Sequence, residues 1–111
     1  LKPGDVVIGA FPGAHLTKTR PAVVLSTAEY HRHRTDVVLG LITTKLAGTL
    51  SPTDCKIEDW QAAGLHAPSW FRLYLVTLLQ SDVRIIGALS QRDWQAVRLR
   101  VSSGLIGNWP A

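Results

Sequence analysis

A few side chains in this sequence can do polar chemistry, and they are scattered along it. Arg20 ends a polar stretch, Thr17-Lys18-Thr19, and precedes an apolar run that begins at Pro21. An arginine fork donates paired hydrogen bonds to phosphate or carboxylate. On position alone, Arg20 reads as a surface arginine in a salt bridge, and Lys18 as a solvated lysine or a phosphate contact. Arg72 interrupts the run Trp70-Phe71-Arg72-Leu73-Tyr74. A charge there must face water, a partner or an anion, so it marks either the solvent face of an edge strand or an anion site. His15 stands in the loop before Arg20. Its ordinary pKa of about 6.5 suits proton transfer, although a lone loop histidine is more often simply exposed. Thr43 and Thr44 close a third apolar run. Their hydroxyls can hold a phosphate oxygen, or they are β-branched residues that favour strand. His31-Arg32-His33-Arg34 is the densest basic run. Two histidines two apart on a strand can share a metal, but no third ligand is evident and a loop is expected. Phosphate contact or plain solvation fits Arg32 and Arg34 better.

These residues need elements to position them. Gly4-Asp5 is a turn, and Val6 to Phe11 reads as a first strand rich in β-branched residues. Pro12-Gly13 breaks it, and residues 14–19 are expected to form a loop. Pro21 to Leu25 is a second strand, Ser26 to Thr35 a polar connection, and Asp36 to Ile42 a third strand buried on both faces. Thr53 to Ile57 reads as a short edge strand. Glu58 to Ala63 reads as one or two helical turns closed by Gly64. Strands follow from Trp70 to about Val76 and from Val83 to Ile86. Ser90-Gln91-Arg92-Asp93 is a variant capping box. Behind it Trp94, Val97, Val101 and Leu105 repeat at helical spacing, with Gly104 expected to limit the helix. Short strands followed by one terminal helix predict a small antiparallel barrel rather than a βαβ fold. Trp60 and Trp94 are expected to pack into the core, Trp70 into core, dimer interface or base-stacking platform, and Trp109 on a loose tail.

The 111 residues suit a single domain, 1–111. Hydrophobic residues make up 46%, which argues for a folded chain. Charged residues are only 18%, so a partner, such as a second copy, is expected to cover some apolar surface. The formal net charge of +4 attracts nucleic acid or an acidic protein. The single cysteine, Cys55, excludes an intrachain disulfide and a cysteine-built zinc site, and it reads as structural. No apolar run approaches the ~20 residues of a membrane span. The N-terminus shows no secretory pattern, so a cytoplasmic location is expected. No cofactor and no metal are expected.

Taken in order, the motifs resemble a known family. Gly4-Asp5-Val6-Val7, then Thr19-Arg20-Pro21-Ala22-Val23-Val24-Leu25-Ser26, then Asp36-Val37-Val38 leading to Ile42-Thr43-Thr44, resemble the MazF/PemK/Kid toxins of type II toxin–antitoxin systems. Pro68-Ser69-Trp70-Phe71-Arg72 is similar to the family's second arginine-bearing strand, and Ile86-Gly87-Ala88-Leu89-Ser90 to its approach to the terminal helix. The likeness spans nearly the whole chain.

The resemblance implies a mainly β, SH3-like antiparallel barrel of the CcdB/MazF/PemK type with a C-terminal α-helix. It implies a homodimer, single-stranded RNA in a groove built from both subunits, and a cognate acidic antitoxin that covers the groove. It implies a metal-independent, sequence-specific endoribonuclease, or mRNA interferase. Such cleavage uses the 2′-hydroxyl as nucleophile and needs a base, an acid and positive charge on the phosphate oxygens. Arg20, Arg72, His15 and Thr43 are the catalytic candidates, with Lys18, Thr44, Tyr74, Arg32 and Arg34 as RNA contacts. Two residues beyond the strand arginine, where the resemblance leads one to expect an aspartate, stands Tyr74. With an ordinary pKa of about 10, tyrosine is a poor base at neutral pH, though its ring can stack on a nucleobase. A non-cleaving RNA- or antitoxin-binding module, or a CcdB-like gyrase inhibitor, is the alternative on the same barrel.

Overall fold

The computed structural model describes residues 1–12, 17–45 and 50–107. Its strands are β1 (Asp5–Pro12), β2 (Thr17–Val24), β3 (Asp36–Thr43), β4 (Cys55–Ile57), β5 (Ser69–Leu79) and β6 (Arg84–Ala88), with helices α1 (Ala28–His33) and α2 (Gln91–Val101). They form one curled antiparallel half-barrel sheet in the order β4-β5-β3-β2-β1-β6. The small antiparallel barrel with a terminal helix expected from the sequence is thus the observed fold class. Among the described residues, no helix is long and apolar enough to cross a membrane.

Strand alternation splits the core between the two faces. Val6, Val23, Ile42 and Phe71 gather on one face with Ile57 and with Val97 of α2, and Trp60 and Trp94 pack at its margin. Val7, Ala22, Val24, Val37 and Leu39 gather on the other, with Leu41 at its margin. Each large apolar side chain so buried stabilises the fold by about 1.5–3 kcal/mol. Gly40 lies beneath the Phe71 ring, where a Cβ would collide with Cε1. A register shift between Gly40 and Leu41 leaves Leu73 and Tyr74 as a two-residue bulge in β5. Gly64, at φ +84°, closes the turn after Ala63 as expected, with the Ile86 carbonyl against it.

Several local expectations give way. Residues 17–20 are strand, not loop, because they continue the β1–β2 ladder as far as Pro12 opposite Thr17. The polar connection contains α1, capped by the Thr27 side chain accepting from the Tyr30 N–H at 3.2 Å. Glu29 in its first turn and the basic residues in its last suit the helix dipole. The 58–64 segment is a chain of turns rather than a helix. Gly104 does not stop the terminal helix. The chain continues through a π-turn, Ser102–Ile106, and Gly107 at φ +56° ends it.

The capping box is only half realised. Ser90 Oγ accepts from the Asp93 N–H at 3.3 Å. Asp93, 2% exposed, reaches back only to the Ser90 hydroxyl, at 3.2 Å, and not to its backbone N–H; it accepts instead from the backbone N–H groups of Glu58 and Asp59 at 2.9 and 2.8 Å. The helix start thereby anchors the turns that lead into β5.

Candidate nucleic-acid interface

Pairing register carries the site. Arg20 stands opposite Gly9, Lys18 opposite Phe11, and Ala22 opposite Leu41. Paired residues on antiparallel strands share a face, as do residues two apart on one strand. The β2–β3 register, continued by two residues, sets Arg20 level with Thr43. Thr43 pairs with Trp70, Leu41 with Arg72, and Lys56 with Trp70. One end of one sheet face therefore holds Lys18, Arg20, Thr43, Trp70, Lys56 and Arg72, bordered by the second core cluster. With strands about 4.8 Å apart and a two-residue offset between the levels of Thr43 and Leu41, Arg20 and Arg72 stand roughly 12 Å apart across β3. Two long guanidinium side chains at that spacing can engage one phosphodiester or two adjacent ones.

The two arginines are held differently. Arg20 is half-buried and, among the described residues, makes neither an ion pair nor a side-chain hydrogen bond. The Arg72 side chain is 41% exposed, and its Nε lies 3.7 Å from Asp54 Oδ1. Thr43 Oγ donates to the Lys45 carbonyl at 3.0 Å and accepts from the Lys45 N–H at 3.1 Å. Its hydroxyl proton is therefore committed to the turn, and one acceptor position remains for a ligand. Lys18 and Thr44 are exposed. Tyr74, 63% exposed, sits in the β5 bulge, so it does not continue the row in which Arg72 lies. His15 and Trp109 lie outside the described residues. Burial pushes the Cys55 thiol up, which keeps it protonated and agrees with a packing role.

The basic run lies elsewhere. β3 runs from Asp36, opposite Leu79, to Thr43, opposite Trp70. At about 3.4 Å per residue, its two ends lie roughly 24 Å apart. Arg32 and Arg34 are at the Asp36 end, and their charges are met by neighbours. Arg32 pairs with Glu29. Arg34 lies 3.3 Å from Asp36 and 5.5 Å above the Tyr30 ring. His31 bonds Ser26 Oγ at 2.7 Å and the Leu1 carbonyl at 3.1 Å. The fold thus brings Arg20, Thr43, Lys18 and Arg72 together and leaves Arg32 and Arg34 apart from them.

The family model for PemK-like, MazF-like toxins of type II toxin–antitoxin systems matches residues 2–105. The chain belongs to this toxin family. No curated protein matches the sequence at a significant level. Solved structures share the toxin fold. An endoribonuclease in complex with its cognate antitoxin, from a mycobacterial species, is 18% identical over 99% of both chains, with a TM-score of 0.77. The Mycobacterium tuberculosis toxin MazF-mt6 is 23% identical over 95% of this chain and 99% of its own, at 0.75. A chain of the Deinococcus radiodurans MazE–MazF crystal structure is 20% identical over 95% of this chain and 94% of its own, at 0.68.

Sequence reasoning missed two residues of this toxin's site region. Asp54 meets Arg72, and Lys56 joins the cationic face beside Trp70. Lys56 lies in β4 and Asp54 immediately before it, and no local sequence signal sets the register of β4 against β5. The alternation Asp54-Cys55-Lys56-Ile57, polar and apolar in turn, was the available clue to their face.

Proposed function

We propose that this toxin is an endoribonuclease that cuts single-stranded RNA without a metal ion. The observation that carries this reading is Arg20. It is a half-buried arginine with no internal ion pair among the described residues, level with Thr43 and across one strand from Arg72, in a chain of the PemK/MazF family. An arginine that the fold leaves uncommitted is suited to an external oxyanion. In the reaction, the 2′-hydroxyl loses its proton and its oxygen bonds to the adjacent phosphorus. The 5′-oxygen leaves with a proton, giving a 2′,3′-cyclic phosphate and a 5′-hydroxyl. Arg20 and Arg72 stabilise the charge that grows on the phosphate oxygens. Thr43 offers its remaining acceptor position to the nucleophile's hydroxyl. Lys18 and Lys56 contact flanking phosphates, and Thr44 and the exposed Tyr74 ring are open to further nucleotides. His15, in the connection between the paired Pro12 and Thr17, is the acid–base candidate.

The partners follow from the same surface. A cationic face attracts an acidic antitoxin segment, as it attracts RNA. Leu75 and Leu79 of β5, Ile85 of β6 and Leu99 of α2 are exposed, which supports a homodimer that covers part of this apolar surface. One observation favours a second reading, an RNA-binding module that does not cut: Tyr74 in place of a carboxylate.

Incubation with a long RNA in EDTA, with the cut ends mapped, tests the proposal. Cyclic phosphate ends that disappear with 2′-deoxy substitution at the cut site support the enzyme. Tight binding with no products supports the module and contradicts cleavage.

A further inference from the structure

Arg72 has a carboxylate partner that the chain supplies from the turn before β4. Asp54 immediately precedes β4, and the β4–β5 register carried one step back sets it level with Arg72. Its side chain is 4% exposed, and its Oδ1 lies 3.7 Å from Arg72 Nε. The remaining contacts fix Asp54 rather than occupy Arg72. Oδ2 accepts from the Ser51 N–H at 3.2 Å, and the Asp54 N–H donates to the Ser51 carbonyl at 2.9 Å. The Asp54 carbonyl accepts from Arg100 Nε of α2 at 3.2 Å. A small turn and the terminal helix thus hold one carboxylate oxygen against the stem side of the Arg72 fork. The two terminal nitrogens of that fork have no partner among the described residues.

We propose that Asp54 is a positioning residue: it aims the Arg72 guanidinium at the phosphate that Arg20 also contacts. This rests on the RNA-cleavage reading above. Free arginine side chains lose much rotamer freedom when they bind, and a carboxylate on Nε removes part of that freedom beforehand. Asp54, with its side chain 4% exposed, is too buried to meet RNA itself. A carboxylate therefore stands beside the strand arginine even though residue 74 is a tyrosine.

The test measures kcat and KM on a short RNA, and Kd for its uncleavable 2′-deoxy analogue. It compares wild type, Asp54→Asn and Asp54→Glu, each also in an Arg72→Ala background. The Asn variant keeps an amide oxygen for Ser51 and loses the charge. Its kcat is expected to fall by about tenfold to a hundredfold, while KM and Kd also fall, because Arg72 is left with its full charge. In the Arg72→Ala background the same change is expected to alter neither. Unchanged kcat in the Asn variant, or an equal loss of kcat without Arg72, would overturn the proposal. Asp54→Glu keeps the charge and displaces it by one methylene, so kcat falls with Kd unchanged; it decides the matter where the Asn variant is unfolded, and a wild-type kcat there overturns the idea. A wild type that makes no products defeats the cleavage reading separately. The Kd arm then still decides: tighter binding by Asp54→Asn only when Arg72 is present supports positioning, and any other pattern overturns it.

Discussion

At the Asp36 end of β3, the cations of the 31–34 run are absorbed by their own neighbours. Arg32 pairs with Glu29, His33 Nε2 lies 3.5 Å from the same carboxylate, and Arg34 rests on Asp36 and the Tyr30 ring. At the Thr43 end, Arg20 has no such partner among the described residues, and Arg72 is held by one atom of its fork. Both ends carry basic side chains, one on a short helix and one on strands. They differ in whether that charge is already spent within the fold. The density of basic residues is therefore a poor guide to an anion site. The commitment of each cation is a better one, because an internal carboxylate competes with any external phosphate.

The largest effect expected from this contrast concerns the scaffold of the Thr43 end. Phe71 lies over Gly40 at the bulge that separates the Arg72 row from Tyr74. Phe71→Ala should cost about 3–5 kcal/mol of stability, read from urea unfolding. A much smaller loss would mean that the bulge is not held by this packing. Next comes salt. Each phosphate contact to single-stranded nucleic acid contributes about 0.7 to the slope of log affinity against log salt. Arg72→Ala should reduce that slope by about one contact's share, whereas Arg34→Ala should leave it unchanged. Equal reductions would erase the distinction between the two ends.

The smallest effect is acid dependence. The Tyr30 hydroxyl, donating to Asp36 at 2.6 Å, holds that carboxyl below its ordinary range. Arg92 and then Ser90 hold Asp59 at about 2. A depressed carboxylate stabilises the fold above its unfolded pKa of about 3.9 and loses that contribution as pH falls through the folded value. Melting temperature should therefore decline between pH 4 and 2, as roughly bounded by these values. Asp36→Asn should flatten part of the decline without altering RNA binding at neutral pH. A change in RNA binding would bring the α1 end into the site.

Much of the fold could be read from local signals. The β-branched runs of β1 and β3 and the Ser90 cap act over a few residues, and all lie where the pattern placed them. α1 escaped because it buries no residue and so has no apolar period to show. The strand character of Thr17–Arg20 escaped because it comes from pairing with β1 rather than from its own side chains. The site divides in the same way. Arg20 and Arg72 were legible as residues in motifs, through the family resemblance. That Arg20 is level with Thr43, and that Asp54 meets Arg72, depends on register between strands that long connections join. The partnering of Arg32 and Arg34 was equally hidden, since it depends on a helix the sequence did not announce.

On the proposed function, RNA is handled at the Thr43 end of the sheet. One assay tests it most directly: wild type, Arg20→Ala and Arg34→Ala, side by side on the same single-stranded RNA, each confirmed folded by its melting curve. Loss of one oxyanion-stabilising group typically costs about a hundredfold to a thousandfold in rate. Arg20→Ala is expected to show a loss of that order, and Arg34→Ala to cleave like wild type. Cleavage that survives in Arg20→Ala and fails in Arg34→Ala would contradict the account.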